Sequence, residues 1–103
     1  MTYRKIEVLR FIYQNIKNGK NYIRPSEIVN TLKIPFPTVS TILRELRKHE
    51  IAKARKILYN DGSSIKVIQV YEIDVEKFKK YFERFLKMHF PSDIIVKILR
   101  EDF

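Results

Sequence analysis

Apolar residues recur three and four positions apart in five stretches of the chain, which is the spacing of one face of a helix. This pattern predicts helices over residues 3–18, 25–32, 36–49, 75–89 and 93–100. Pro25, Pro35 and Pro37 suit turns and first helical turns, where a missing backbone N–H costs nothing. The second and third predicted helices are therefore separated only by the short turn 33–35.

Between the third and fourth predicted helices the apolar period shortens to that of strands. Residues 52–59 and 64–73 are rich in β-branched and aromatic side chains, and residues 60–63 between them contain Asp61-Gly62. An Asp-Gly pair flanked by two such runs predicts an antiparallel hairpin. A short extended piece is predicted at residues 22–23. The fold class expected is mostly α with a small antiparallel β-hairpin, an α+β fold.

The net charge is concentrated in the first two thirds of the sequence. The 103 residues, enough for one domain, include 21 basic and 12 acidic side chains, a net charge of +9. Residues 72–103 contain seven of each sign, so the whole excess lies within residues 1–71. A basic part joined to a neutral part predicts a polyanion partner for the first and a structural role for the second.

The composition also argues against several classes of function. There is no cysteine, and the two histidines are far apart in sequence, so we expect no disulfide, metal site or cofactor. Serine nucleophiles lack a base, and no glycine-rich phosphate loop exists, so we expect no enzyme. No apolar run approaches the roughly 20 residues that span a bilayer. We expect no membrane partner and a cytoplasmic location, or the host cytoplasm if the protein is viral.

The third predicted helix has an outer face suited to the major groove of DNA. Opposite its apolar stripe it carries small and hydroxyl side chains, followed by basic ones. Small side chains let a helix approach base edges, an arginine can reach guanine, and a lysine further along meets phosphates. The candidate DNA-contacting residues of this helix are Pro37, Thr38, Ser40, Thr41, Arg44, Arg47 and Lys48.

Residues 3–74, in the order of their predicted elements, resemble winged helix-turn-helix DNA-binding proteins of the broad MarR/ArsR-like kind. The run Pro37-Thr38-Val39-Ser40 followed by Leu43-Arg44-Glu45-Leu46 is the most specific part of the resemblance. Lys33 stands where the family's turn often has glycine, and Pro35 stands where Ser or Thr usually caps the helix. The resemblance implies that residues 1–74 form a winged helix DNA-binding domain whose hairpin is the wing. It places on that wing Lys53, Arg55, Lys56, Asn60, Gly62, Ser63, Ser64 and Lys66.

Residues 75–103 are expected to be a dimerisation element of the same compact domain. Their helices present more apolar surface than a core of three helices and a small sheet needs. The expected interface residues are Phe78, Phe82, Phe85, Leu86, Ile94 and Ile98. In the alternative arrangement, the last helix folds back over these groups within one monomer.

Three hypotheses for function follow, and the first is preferred. The chain is a sequence-specific regulator of transcription, a dimeric repressor that binds double-stranded DNA. It is alternatively an architectural or replication accessory protein with little sequence preference. A third possibility is a winged helix whose basic face binds an acidic protein.

Overall fold

The computed structural model describes residues 2–100, and the bounds of its elements lie close to those predicted. In chain order they are α1 (Thr2–Lys17), β1 (Tyr22–Ile23), α2 (Pro25–Leu32), α3 (Phe36–Lys48), β2 (Ala52–Asn60), β3 (Ile65–Ile73), α4 (Val75–His89) and α5 (Ser92–Arg100). This confirms the α+β class, mostly helical with a small antiparallel sheet. No helix within residues 2–100 has the length and apolar character needed to cross a membrane.

The core lies where α1, α3 and α4 meet. Each helix buries one apolar stripe, as the spacing of its residues predicts. The side chains with the least exposure include Leu9 and Ile12 of α1, Val39 and Leu46 of α3, and Phe78 and Phe82 of α4. Since α1 contacts α2, α3 and α4, it is the helix around which the others are arranged.

The turn between α2 and α3 is held by its backbone and by one buried side chain. Lys33 has φ 57° and ψ 40°, the left-handed conformation that glycine adopts most easily, and its N–H donates to the Val29 carbonyl at 2.9 Å. This conformation costs a non-glycine residue about 1–2 kcal/mol. Ile34, 1% exposed, anchors the turn in the core. Pro35 supplies no side-chain cap, but its carbonyl accepts from the N–H groups of Thr38 and Val39.

The three strands form an antiparallel sheet in the order β1-β3-β2. The hairpin pairs Ala52 with Ile73 at its base and Asn60 with Ile65 near its tip. Ala52 and Ile73 are buried in the core, whereas every residue of β2 from Arg55 onward is exposed. Only the base of the hairpin is therefore packed against the helices. Its outer half extends away from them, in a molecule measuring 50 × 26 × 26 Å.

The C-terminal helices fold onto the rest of the chain. Asp74 caps α4 by accepting the Lys77 N–H at 3.1 Å. Phe78, Phe82, Phe85 and Leu86 are all buried in the chain's own core. This placement corrects the expectation that these four residues form an exposed interface, because their stripe faces α1 and not solvent.

The last helix, α5, has an intermediate position. Ile95, Ile98 and Leu99 pack against the core while remaining partly exposed, and Ile94 keeps 40% of its surface exposed. Within the single chain, α5 packs back against α4 and the core. The apolar surface left over in the C-terminal third is therefore much smaller than the sequence suggests.

Candidate nucleic-acid interface

The fold separates α3 into a buried stripe and an exposed face. Val39, Ile42, Leu43 and Leu46 are in the core. Among the seven predicted residues, Pro37, Thr41, Arg44, Arg47 and Lys48 are exposed, while Thr38 and Ser40 on the flanks are half-buried. The sequence-predicted residues of this helix thus lie together on its accessible side.

The cations on this face are available for a partner. Within residues 2–100, no ion pair or side-chain hydrogen bond involves Arg44, Arg47 or Lys48. The acidic residue of the same helix, Glu45, is half-buried and bonded to α1 and α4. The accessible side of α3 therefore carries positive charge without an acidic side chain to offset it.

Glu45 is the centre of a polar cluster that joins three helices. The Lys5 ammonium of α1 donates to both Glu45 oxygens, at 3.0 and 3.1 Å, and the Tyr81 hydroxyl of α4 donates at 2.9 Å. The Lys5 nitrogen also lies 5.0 Å from the centre of the Phe85 ring. Since α3 is tied on this flank to both neighbours, its exposed face has a fixed orientation. The sequence offers no signal for this cluster, because Lys5 and Tyr81 are 40 and 36 residues away from Glu45.

The cluster shifts the titration of its members. Burial raises the pKa of Glu45, but the hydrogen bonds from Lys5 and Tyr81 outweigh burial, so this pKa lies below its ordinary value. Burial likewise lowers the pKa of Lys5, but the hydrogen bonds to Tyr81 and Glu45 leave it raised. Both groups are therefore charged near neutral pH, and the ion pair is intact there.

Replacing Glu45 with glutamine is expected to lower the free energy of unfolding by up to about 1 kcal/mol near pH 7, because the pair is partly exposed to solvent. A carboxylate with a depressed pKa stabilises the fold above its unfolded pKa, and this stability is lost as the pH falls through the folded pKa. The difference between wild type and variant should thus shrink near pH 3. Urea denaturation at both pH values measures it.

Glu83→Gln on the exposed surface of α4 is the matched control for that experiment, because it removes the same charge outside the cluster. The control should leave stability unchanged to within about 0.5 kcal/mol. An effect of Glu45→Gln that is the same at both pH values would contradict the assigned role of the carboxylate.

The tip of the hairpin is built by short polar side chains. Gly62 has φ 90°, and its N–H donates to the Asn60 side chain at 2.8 Å. The N–H groups of Ser64 and Ser63 donate to one Asp61 oxygen, at 2.9 and 3.0 Å, and these bonds lower the pKa of Asp61 to about 2. The tip therefore keeps a negative charge at any physiological pH.

All eight residues predicted for the hairpin are exposed, but the register gives its cations different surroundings. Lys66 lies opposite Tyr59, and its ammonium is 3.4 Å from Asp61. Arg55 forms an ion pair with Glu72. Within residues 2–100, Lys53 and Lys56 have no ion pair; Lys53 lies across from Glu72 in the register, and Lys56 lies across from the uncharged Gln69.

The prediction from sequence missed two apolar features of the surface. The outer half of the hairpin exposes Leu58, Ile65 and Val67 on the face that packs against the core at its base. Phe36, the first residue of α3, is 57% exposed. Alternation along the strands could have placed the first three on one face, but only the fold shows that the core ends before it reaches them.

Within residues 2–100, no group of three or more acidic or histidine side chains is placed to hold a metal ion. A polar groove runs between the end of α3 and the base of the hairpin, and it mixes both signs of charge. Its charged lining residues are Arg47, Glu50, Lys53, Arg55, Glu72, Asp74 and Lys77. This mixture makes the groove less suited to an anion than the outer face of α3.

No protein-family model, curated protein sequence or solved structure matches this chain. The support for a function therefore comes from the geometry and chemistry of the chain itself.

Proposed function

We propose that this chain is a sequence-specific transcriptional regulator that binds double-stranded DNA through a winged helix-turn-helix and acts as a dimeric repressor. In this proposal α2 and α3 form the helix-turn-helix, α3 is the recognition helix, and the β2–β3 hairpin is the wing. The order of the elements and the short turn centred on Lys33 support this arrangement.

The observation that carries the proposal is the exposed face of α3. A helix that enters the major groove needs small side chains where it approaches the bases. It also needs cations that are free to bind DNA. Thr41 and Pro37 supply the first, and Arg44 and Lys48 supply the second. Glu45, the residue that would repel phosphates, is held on another flank by Lys5 and Tyr81.

Selection of binding sites from random duplex DNA tests the proposal. A regulator is expected to recover one sequence, with twofold symmetry if it binds as a dimer. Retention of DNA without enrichment of any sequence would favour an architectural or replication accessory protein. Failure to retain DNA at low salt would overturn both and favour a protein-binding winged helix.

The hairpin is expected to supply affinity that is independent of sequence. Replacing Lys53 and Lys56 with alanine should weaken binding to all duplexes and reduce the slope of log affinity against log salt by about one unit for each phosphate that is no longer neutralised. Fluorescence anisotropy at several salt concentrations measures the slope. The control is Lys79→Ala with Lys87→Ala on α4, which removes the same charge from another surface. Equal slopes for the two double variants would remove the hairpin from the interface.

The proposed regulator is a homodimer, which would place two recognition helices about 34–36 Å apart along one face of the duplex. The neutral C-terminal third supports this, since two chains of charge +9 associate most easily through a surface without net charge. The apolar groups exposed there are Met88, Ile94 and Val96.

Light scattering at micromolar concentration is expected to give twice the chain mass of 12.5 kDa. Ile94→Asp with Val96→Asp should restore the single-chain mass without unfolding, because both side chains are already 40% or more exposed. Leu58→Asp on the hairpin is the comparison variant. A single-chain mass for the wild type would contradict the dimer, and dissociation by Leu58→Asp alone would move the interface to the hairpin.

A further inference from the structure

The start of α3 differs chemically from the rest of its exposed side. Phe36 is the first residue of the helix, and 57% of its surface is exposed. Pro35 and Pro37 on either side of it are exposed too. The charged residues on the accessible side come later, at Arg44, Arg47 and Lys48. The first turn therefore presents an apolar surface, and the last two turns present a basic one.

Thr41 lies one helical turn after Pro37 and adds an apolar group to the exposed side of the helix. Its hydroxyl donates to the Pro37 carbonyl at 2.9 Å, within the helix. The donor of this exposed threonine is thus already used, and it offers a partner a methyl group and an acceptor oxygen. Thr41 therefore has no free hydrogen-bond donor for a partner, and its methyl group is the apolar part that a partner can contact.

In the major groove, one base presents an apolar group on its edge, the 5-methyl group of thymine. The residues at the N-terminal end of a recognition helix are the ones that contact base edges. We infer that Phe36 and Thr41 contact thymine methyl groups, so that the preferred DNA site contains thymine opposite the start of α3. This inference rests on the proposed function and assigns a part of the specificity to apolar contact.

The experiment uses the intact protein and a duplex recovered by site selection. Each thymine is replaced in turn by deoxyuridine, which removes the methyl group and leaves base pairing unchanged. At one or two positions the affinity of the wild type should fall about fourfold, the effect of losing one buried methyl group. No loss at any thymine, or a selected site without thymine, would overturn the inference while leaving the proposed function intact.

The Phe36→Ala variant tests whether Phe36 is the side chain that contacts the thymine methyl group. It should bind the thymine duplex several times more weakly than the wild type does, and at one of the sensitive positions deoxyuridine should cause no further loss. A deoxyuridine effect that persists in full at every position in the variant would overturn the assignment to Phe36. Selection of no sequence at all would overturn both this inference and the proposed function.

Two controls make the result specific. Tyr3→Ala removes another aromatic side chain, 80% exposed on α1, and should leave both affinities unchanged. The melting temperature of Phe36→Ala should stay close to that of the wild type, because the ring is mostly outside the core. If Phe36→Ala unfolds, Phe36→Leu replaces it in the experiment. The leucine variant keeps an apolar side chain, so it should retain part of the affinity and part of the deoxyuridine effect.

Discussion

Replacing Phe82 with alanine is expected to lower the free energy of unfolding by about 3–5 kcal/mol, the usual cost of removing a fully buried aromatic side chain. Phe82 is 0% exposed, and its ring centre lies 5.3 Å from that of Tyr13 on α1 and 5.7 Å from that of Phe78. Small domains have only about 5–15 kcal/mol of stability. Urea denaturation should therefore show a much lower midpoint, or a chain already unfolded without denaturant.

Tyr3→Ala is the control for this prediction, since it removes an aromatic side chain of α1 that is 80% exposed. Its effect should stay within about 0.5 kcal/mol. If Phe82→Ala instead left stability almost unchanged and altered the molecular mass, α4 would be an interface helix and its packing on α1 would be contradicted.

Replacing Arg44 with alanine is expected to cost about 1–3 kcal/mol of binding free energy at a selected DNA site and much less on random duplex. Arg44 is exposed on the outer side of α3, and no side chain within residues 2–100 pairs with it. A guanidinium in this position can bond two acceptors on a guanine edge. Competition of labelled specific duplex with unlabelled specific and random duplexes separates the two affinities.

Arg84→Ala on α4 removes the same charge from an exposed position elsewhere, and it should weaken both affinities slightly and equally. If Arg44→Ala behaves like this control, Arg44 contacts phosphate or nothing, and its role in specificity is rejected. The stability of both variants should match that of the wild type, because both side chains are exposed.

The elements themselves could be predicted from sequence because their signals are local. The bounds of α2 and α4 agree with the prediction at both ends, and no other element differs from it by more than one residue at either end. Proline at the start of α2 and Asp74 before α4 fix these ends through the geometry of a few neighbouring residues. The face of α3 followed from the same periodicity. Five of the seven candidate residues are exposed, whereas Thr38 and Ser40 are half-buried and the exposed Phe36 was missed.

The partner of an apolar stripe cannot be predicted in the same way. Spacing shows that Phe78, Phe82 and Phe85 share a face, but it does not show whether α1 or a second chain covers that face. The fold assigns it to α1. The sequence argument for surplus apolar surface therefore overestimated what remained for a dimer.

Side-chain pairing between distant residues was also beyond the sequence. The ion pair of Arg55 with Glu72 depends on the hairpin register. Arg55 lies opposite Val70, and Glu72 is two residues further along β3 on the same face of the sheet. The bonds from Lys5 and Tyr81 to Glu45 depend on how three helices pack. Both arrangements change which charges are free, which is the property that matters most for binding an anion.

The separation of α3 into a buried stripe and an exposed face also affects how this protein can evolve. Substitutions at Pro37, Arg44 or Lys48 change accessible chemistry at positions outside the core, where most replacements alter stability by no more than about 0.5 kcal/mol. Leu43 and Leu46, between them in sequence, tolerate far less. The accessible chemistry of this helix can thus change by single mutations, and the protein stays folded after each of them.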